Sequence, residues 1–445
     1  MNECKRRILV ADDDQLLRTL AADILSEKYD VMQAIDGQDA LEKALAWRPE
    51  LVVTDIMMPR MHGYELCERL KGRNGISGVF VIVTSSKSFS TDKAQAKEAG
   101  ADGYIVKPFA SAELLDMAAD LFAKSRSAAA TSPMTEPIAP AEVLNIAAPE
   151  YAPVSTSPLP VYVRFWGTRG SCPTGGVNTV RYGGNTSCTE VRIGNLLLII
   201  DCGTGLRELG SAIAQEFEKK PVEGHIFVGH THWDHIQGFP FFVPLYNSLN
   251  TFKIYSVRGA HSSLKGVFSG SMALDYFPIP LSSLSGKVSF IEMAGPVDLG
   301  VAKVSFHYLN HPGVCIGFRI EAQGRVITYL SDHEDFRRLS GSSDMAIRQE
   351  AAVAAFAQNS DLLIREAQYT EEEYLSRKGW GHSTFDDAVR FAIDTKAKRL
   401  AIFHHDPDHT DTIMDAHIKY CKELVVKAGA AINCFAAWDG LRVDL

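Results

Sequence analysis

A proline-rich stretch in the first half of the chain constrains the fold most. Residues 125–160 contain seven prolines among alanine, serine and threonine, and they lack the periodic apolar pattern of a helix or strand. Such a segment is typical of a semi-extended linker. We therefore predict two separate cores, a domain at 1–124 and a domain at 161–445, which also suits a length of 445 residues.

The composition narrows the class of protein. Apolar residues make up 46% of the chain and charged residues 22%, which is typical of a globular protein with a sizeable core. The apolar runs are shorter than the roughly 20 residues of a membrane helix, and the N-terminus lacks a signal-peptide pattern. We therefore expect a cytoplasmic protein without a membrane span. The net charge of −9 is spread along the chain, which does not favour binding to a long nucleic acid.

The first region alternates short β-branched runs with amphipathic helical stretches, which predicts a parallel sheet covered by helices. Polar residues follow its strands. Asp12 and Asp13 end the first strand, Asp55 ends the third, and Thr84 and Lys107 end the fourth and fifth. The carboxyl ends of parallel strands meet at one edge of a sheet, where clustered carboxylates suit Mg²⁺. We expect an acidic, Mg²⁺-binding phosphate pocket there.

These motifs resemble the receiver domain of bacterial response regulators, over about residues 7–122. The resemblance implies a flavodoxin-like (βα)5 fold, a cognate histidine kinase as partner and control by phosphorylation of an aspartate. The implied residues are Asp12, Asp13 and Asp55 for Mg²⁺, Asp55 as the phospho-acceptor, Thr84 and Tyr104 as the switch pair, and Lys107 as the phosphate partner.

The second region carries 13 of the 14 histidines of the chain. Its segment HTHWDH follows a strand-like run and contributes His230, His232, Asp234 and His235. Alternate residues of an extended segment face the same side. We therefore expect the first two histidines to ligate one ion, while the aspartate and the last histidine reach a second.

Three further residues complete a possible metal centre. His311, Asp332 and His404 each follow a strand-like run farther along the chain. Together with the HTHWDH residues they make seven nitrogen and oxygen ligands, one of them a bridging carboxylate. This set suits two Zn²⁺ ions, or Mn²⁺ or Fe ions.

The second region resembles the metallo-β-lactamase superfamily, including the segments FWGTRGSCP and RYGGNTSC of its phosphodiesterase-like branch. The resemblance implies an αββα sandwich with the metals at its edge. It favours His404 over the neighbouring His405 as the last ligand. It assigns His230, His232 and His311 to the first metal, Asp234, His235 and His404 to the second, and Asp332 to the bridge.

The segment GHST resembles the histidine motif of tRNA 3′-processing enzymes and related phosphodiesterases. By that resemblance His382 contacts the scissile phosphate or assists the leaving group, and we predict Asp234 and His382 as catalytic residues. Arg365 stands where those enzymes often have a histidine, which weakens a tRNA-processing assignment. The segment 241–290 holds few basic residues and is predicted to form a lid or substrate wall.

These observations predict an α/β two-domain response regulator with an enzymatic output. The output is a dinuclear-metal hydrolase that cleaves a cyclic nucleotide or another small phosphodiester, controlled by phosphorylation of Asp55, in a homodimer. Three alternatives stay open: a lactonase or thioesterase, a di-iron redox or oxygen sensor, and a catalytically silent binding module.

Overall fold

The computed structural model of the protein describes most of both regions. The described residues are 5–58, 60–73, 75–85, 90–107, 109, 111–128, 159–218, 220–259, 263–341 and 343–445. The linker predicted for 125–160 lies almost wholly outside the described residues, so its limits and those of the two domains stay a prediction. None of the described helices is both long and apolar enough to cross a membrane.

The first region is a parallel sheet with helices between its strands, as predicted. The strands are Arg7–Ala11 (β1), Asp30–Ala34 (β2), Leu51–Asp55 (β3), Phe80–Ser85 (β4) and Gly103–Val106 (β5). The helices are Gln15–Ser26 (α1), Gly37–Trp47 (α2), Gly63–Lys71 (α3), Ser90–Glu98 (α4) and Ser111–Ala128 (α5). The strand order is β2-β1-β3-β4-β5 with every pair parallel, which confirms the flavodoxin-like fold.

Strand β3 shows why this sheet forms. All of its residues are buried, as expected for a central parallel strand with helices on both faces. Its last residue, Asp55, therefore lies at the carboxyl edge of the sheet. Helix α2 begins after Asp36, whose carboxylate accepts hydrogen bonds from the backbone N–H groups of Gln38 and Asp39.

The second region contains fourteen further described strands. They are Val161–Gly167 (β6), Cys188–Ile193 (β7), Leu196–Ile200 (β8), Glu223–Phe227 (β9), Thr251–Ser256 (β10), Lys287–Glu292 (β11), Val297–Asp298 (β12), Ala302–Tyr308 (β13), Ile316–Ala322 (β14), Arg325–Leu330 (β15), Leu362–Glu366 (β16), Arg399–Phe403 (β17), Asn433–Ala436 (β18) and Arg442–Asp444 (β19).

Helices accompany these strands. They are Gly205–Phe217 (α6), Trp233–Ile236 (α7), Leu264–Ser271 (α8), Phe336–Ser340 (α9), Asp344–Phe356 (α10), Glu371–Arg377 (α11), Phe385–Asp394 (α12) and Asp411–Lys427 (α13), with 3-10 turns at Phe239–Phe241, Val243–Tyr246 and Leu281–Ser283.

The strands form two mixed sheets of seven strands each, in the orders β11-β10-β9-β8-β7-β6-β19 and β12-β13-β14-β15-β16-β17-β18. Apolar side chains from both sheets form one shared core, in which Phe165 and Phe227 of the first sheet join Phe318 and Phe403 of the second. Helix α6 covers the outer face of the first sheet, and helices α12 and α13 cover the second. This confirms the metallo-β-lactamase sandwich.

The segment 241–290 differs from the prediction of a lid or wall. Residues Thr251–Ser256 form strand β10, which pairs in parallel with β9 and with β11 and thus extends the first sheet. Phe242 and Phe252 are fully buried in the core beneath helix α6. Much of the segment is therefore a structural part of the sandwich.

Candidate metal centre and phosphorylation pocket

The predicted metal ligands lie just beyond strand ends of the two sheets. His230 follows β9, His311 follows β13, Asp332 follows β15 and His404 follows β17. All four side chains are buried. The topology therefore brings residues that are far apart in sequence to one edge of the sandwich.

His230, His232 and His311 form one triad, whose candidate ligand atoms all lie within 4.8 Å of one another. The Nε2 atom of His311 lies 3.1 Å from Nδ1 of His232. Its other ring nitrogen lies 3.0 Å from the carbonyl oxygen of Gly381, which orients the ring so that Nε2 faces the triad.

Asp234, His235 and His404 form a second triad, again within 4.8 Å. Oδ2 of Asp234 lies 3.0 Å from Nε2 of His404 and 3.2 Å from Nε2 of His235. His404 has a left-handed backbone with φ of 58°, at the point where the chain leaves β17. The structure brings His404 to this site, whereas His405 contacts the carbonyl oxygen of Ala437 at 2.8 Å.

Asp332 lies between the two triads. Its Oδ2 is 3.2 Å from Nε2 of His235, and its Oδ1 is 3.4 Å from Nε2 of His404. Oδ1 is also 3.8 Å from Nε2 of His311 and 3.9 Å from Nε2 of His230. One carboxylate thus faces ligands of both triads, which is the arrangement that a bridging ligand requires.

Unpartnered atoms support a metal centre here. Both ring nitrogens of His230 are buried, and neither has a hydrogen-bond partner among the described residues. Burial, together with the nearby His235, holds the pKa of His230 well below its usual value, so the ring is neutral. A buried neutral imidazole without a hydrogen bond is rare, but it is the form that ligates a divalent metal.

The carboxylates are charged despite their burial. Burial alone would raise the pKa of Asp332, but His404, His235 and His230 outweigh it and hold the pKa well below its usual value. The same balance, led by His235, lowers the pKa of Asp234. The carboxylates in turn outweigh burial and raise the pKa of His235 and of His404, whereas burial lowers the pKa values of His230, His232 and His311. A divalent ion such as Zn²⁺ would displace the protons of the first two, and the site would then offer imidazoles and carboxylates as ligands.

A second layer of polar groups orients these ligands. Asp201 lies 2.9 Å from Nδ1 of His235 and accepts hydrogen bonds from Tyr329 at 2.7 Å and from the Gly229 backbone at 2.8 Å. Sequence reasoning missed Gln368, whose side-chain nitrogen lies 2.9 Å from Nδ1 of His404. Gln368 lies just beyond β16, three residues after Arg365.

The prediction of an extended HTHWDH segment is wrong after His232. Residues Trp233–Ile236 form the short helix α7, and His232 is its N-cap residue with an extended backbone. Asp234 and His235 therefore lie on a helical turn, where neighbouring side chains diverge by about 100°. That turn directs Asp234 and His235 to the second triad. His230 and His232 precede the helix and belong to the first triad.

His382 lies beside both triads. Its ring centroid is 5.1 Å from that of His311 and 5.2 Å from that of His404. Nδ1 is 3.8 Å from Oδ1 of Asp332 and 3.9 Å from Oε2 of Glu366, without a hydrogen bond to either. Burial lowers the pKa of His382 to about 3, so its imidazole is neutral. Sequence reasoning missed Glu366.

The side chain of Arg365 lies on the face of the second sheet that packs against helix α12. It is fully buried, its guanidinium lies 4.9 Å from the ring centroid of Phe391 in α12, and it donates a hydrogen bond to Ser383 Oγ at 2.9 Å. This bond supports the loop next to His382. The arginine therefore packs behind the site, while the following residue, Glu366, faces it.

The strand-end residues predicted to form a phosphate pocket in the first region lie close together. Lys107 Nζ lies 2.6 Å from Asp12 Oδ2 and 2.6 Å from Asp55 Oδ1, and all three side chains are buried. Burial, and then the charge of Asp55, raise the pKa of Asp12 to about 6 against the opposing effect of Lys107. Asp13 lines the same pocket. Thr84 lies beside Asp55 in the β3–β4 pairing.

The pocket faces the second region across a cavity of about 550 Å³. Asp12, Asp55 and Lys107 line one side, and Phe306 and Tyr308 of β13 line the other. The two regions thus meet directly over the predicted phospho-acceptor, a contact that the sequence did not predict.

Polar contacts hold the two regions together around this cavity. Asp14 Oδ2 lies 3.5 Å from the Arg348 guanidinium, and Glu68 pairs with Arg258 at 3.1 Å. His62 is buried, and its Nε2 lies 2.5 Å from the carbonyl oxygen of Arg258.

An apolar contact joins the first region, near Tyr104, to the loop that carries His311, a predicted metal ligand. Val314 packs against the same apolar cluster of the first region as Tyr104, the predicted switch residue. The next residue back, Gly313, lies close to the Gln95 side chain. His311 stands only two residues before this glycine, so the loop touches the first region at one end and the metal centre at the other.

Comparison with known proteins matches each region to a family. The model of the response regulator receiver domain matches residues 8–119, and that of the beta-lactamase superfamily domain matches residues 197–405. PilG of Pseudomonas aeruginosa is 40% identical over 110 residues, which are 24% of this chain and 82% of PilG. Response regulator ArlR of Staphylococcus aureus is 38% identical over 110 residues, which are 24% of this chain and 49% of ArlR.

Among solved structures, the metallo-beta-lactamase fold protein YhfI of Bacillus subtilis is 20% identical, with a TM-score of 0.46 over 64% of this chain and all of YhfI. The receiver match implies an interaction with a histidine kinase, and the second match implies a metal-binding hydrolase fold. The chain therefore belongs to the response regulators, with a receiver domain fused to a domain of the beta-lactamase superfamily.

Proposed function

We propose that the second domain hydrolyses a small phosphodiester at the His/Asp centre. The observation that carries this proposal is the position of Asp332 between two triads of imidazoles and carboxylates. Two divalent ions, which we propose to be Zn²⁺, would supply Lewis acidity toward a phosphoryl oxygen and lower the pKa of a water molecule. Mn²⁺ or Fe are the alternatives.

The residues of the chain contribute binding and orientation. The two triads would hold the ions, and the contacts of Asp201 and Gln368 keep His235 and His404 directed at them. His382 lies beside the centre with its ring neutral, so it can donate one hydrogen bond to a phosphoryl or leaving-group oxygen. We propose this as its catalytic role.

The charge around the site favours a small substrate over a long nucleic acid. In the segment 241–290, Arg258 is engaged with Glu68 of the receiver domain, and Lys253 pairs with Glu223 at 3.3 Å. Few cations of this segment are then left to follow a polynucleotide backbone, which such recognition requires. A cyclic nucleotide or a comparable small phosphodiester fits better.

We also propose that phosphorylation of Asp55, with Mg²⁺ at Asp12 and Asp13, controls this activity. A phosphoryl group would add charge at the cavity between the domains, where Lys107 already bridges Asp12 and Asp55. The proposal is supported by the shared packing of Tyr104 and Val314, because Val314 belongs to the loop that carries His311. A movement of Tyr104 and the apolar cluster around it would therefore move this loop.

The test is a substrate screen with the metal-loaded full chain. Cyclic nucleotides, bis-p-nitrophenyl phosphate and lactones are assayed with and without acetyl phosphate as a small phosphodonor. We expect turnover of phosphodiesters and a change in rate on phosphorylation. Turnover of lactones alone would replace the proposed substrate class and leave the metal centre in place.

The regulatory part is tested separately. Asp55→Asn should remove the change in rate caused by acetyl phosphate, because the acceptor carboxylate is lost. Asp116→Asn, at an exposed position of α5, is the matched control and should respond like the wild type. A full response of Asp55→Asn would overturn receiver control without affecting the proposed hydrolysis.

A further inference from the structure

A second cluster of metal-ligating side chains lies outside the two triads. The cluster consists of Glu373 in α11, His409 in the loop before α13, and His417 in α13. Each offers a ligand atom, and these atoms all lie within 4.8 Å of one another. None of the three belongs to the proposed hydrolytic centre. We propose that this cluster is a separate binding site for a divalent transition-metal ion, with Zn²⁺ as the best match.

The carboxylate of this cluster is held in place before any ion binds. Oε2 of Glu373 accepts hydrogen bonds from the backbone N–H of Thr370 at 2.8 Å and from its hydroxyl at 2.9 Å. This is the capping box that starts α11. The second oxygen, Oε1, is thereby directed away from the helix start and lies 3.0 Å from Nε2 of His409.

The imidazole of His417 has a ring nitrogen that the described residues leave unused. Its Nε2 is buried and has no hydrogen-bond partner among them. His409 differs, because its Nε2 faces Glu373 and only its Nδ1, on the other side of the ring, is unpartnered among the described residues. The His417 ring packs between Phe385, at a centroid distance of 4.4 Å, and His409, at 4.7 Å. This packing fixes the ring without giving Nε2 a hydrogen-bond partner among the described residues.

The chemistry of the ligands selects the ion. Two imidazole nitrogens and one carboxylate oxygen suit Zn²⁺, which binds nitrogen at about 2.0–2.1 Å and thus separates its ligand atoms by roughly 3.3 Å. The distance of 3.0 Å between Glu373 Oε1 and His409 Nε2 is already close to that separation. Hard ions such as Mg²⁺ prefer oxygen ligands and do not match.

The position of the cluster indicates what the ion would do. His409 lies in the loop between His404, at the end of β17, and helix α13. Glu373 belongs to the helix that leads into the loop of His382. A bound ion would tie these two segments together and to α13. We therefore assign it a structural role beside the hydrolytic centre.

Zinc content tests the site. The full chain is loaded with Zn²⁺, dialysed against buffer with excess Mg²⁺ to occupy the receiver pocket, and weighed by native mass spectrometry. His417→Gln should retain one zinc ion fewer per chain than the wild type. His225→Gln, at a buried histidine whose Nδ1 is 3.1 Å from the Tyr255 hydroxyl, is the matched control and should retain the wild-type number. Equal zinc content in His417→Gln and wild type would overturn the proposal.

Two further measurements keep the outcome separate from folding and from the hydrolytic centre. Glu373→Gln preserves the size of the side chain and should also lose one ion, even if His417→Gln fails to fold. Asp332→Ala should lose ions from the hydrolytic centre and still keep the ion at Glu373. Zinc should raise the unfolding temperature of Asp332→Ala but not that of the double variant with His417→Gln. An identical response of both to zinc would contradict the site.

Discussion

The phosphorylation pocket and the His/Asp centre are built alike but neutralise their charge differently. Both lie beyond strand ends, and both bury carboxylates. In the receiver pocket, Lys107 contacts Asp12 and Asp55 at 2.6 Å and supplies the compensating charge from within the chain. The proposed hydrolytic centre holds its carboxylates among imidazoles, and neither ring nitrogen of His230 has a hydrogen-bond partner in the described part of the chain. In the first pocket a lysine of the chain thus neutralises part of the carboxylate charge, whereas in the second the carboxylates face histidines, whose protons a divalent ion would displace.

The largest expected effect comes from Asp332→Ala. Because this carboxylate faces both triads, its loss should remove bound metal and lower phosphodiester turnover by more than the roughly 10–100-fold that loss of an outer ligand-orienting group costs. Metal content by elemental analysis and initial rates check this. If the variant retained its bound metal and its activity, Asp332 would not be a bridging ligand, and the comparison with the receiver pocket would fail.

A smaller effect is expected for His382→Ala. The side chain lies beside the triads without being one of their members, so metal content should stay at the wild-type level. Turnover should fall by about 10²-fold or more, which is typical for loss of a positioned proton donor or acceptor. Rates with a substrate that has a good leaving group should fall less. An equal fall for good and poor leaving groups would contradict a role at the leaving-group oxygen.

Asp201→Asn should act through His235. The amide lacks the charge that supports the Nδ1 side of the ring, so metal affinity should fall by roughly 10–100-fold. Tyr329→Phe, which removes only the hydroxyl that donates to Asp201, should have a smaller effect. Competition with a zinc chelator measures both. Equal affinities for wild type and Asp201→Asn would show that the centre does not depend on this outer carboxylate.

The domain contact should weaken in acid because of His62. Its Nδ1 accepts a hydrogen bond from the Glu65 backbone, and its Nε2 faces the carbonyl oxygen of Arg258, so the contact requires the neutral ring. Burial lowers its pKa from 6.5 to about 4. The stabilisation is therefore full above about pH 6.5 and is lost as the pH falls toward 4, by up to about 3 kcal/mol.

Hydrogen exchange of the loop around Val314, measured between pH 7 and pH 4 and corrected for intrinsic rates, checks this. Protection should fall with pH in the wild type. His62→Gln, which keeps a donor and an acceptor but does not titrate there, should flatten the dependence. The same dependence in both proteins would exclude His62 as its origin.

The sequence predicted what depends on strand order and residue chemistry. The carboxyl edge of a parallel sheet brings Asp12, Asp55 and Lys107 together whatever else the chain does, and the structure places them within hydrogen-bonding distance. The metal-centre residues likewise follow strands, so their convergence could be expected once two sheets were inferred. Their roles as ligands stay a prediction.

What the sequence could not provide depends on contacts between distant segments. Gln368 and Glu366 follow Arg365 in a segment to which the sequence assigned no role at the site, and the pairing of β16 with β17 brings this segment beside His404. The short helix α7 overrides the extended geometry expected for HTHWDH. The partners of Asp14 and His62 lie in the other domain. The hydrophobic pattern of a helix or strand predicts packing within its own domain and does not predict such a contact.

The loop between β13 and β14 has one consequence beyond regulation. It supplies His311 to the hydrolytic centre and Val314 to the contact with the receiver domain, within a few residues. Changes in one part of so short a loop displace the other. Under the proposed function, selection on substrate turnover and selection on signal response would therefore act on the same few codons, and neither property could drift far while the other is maintained.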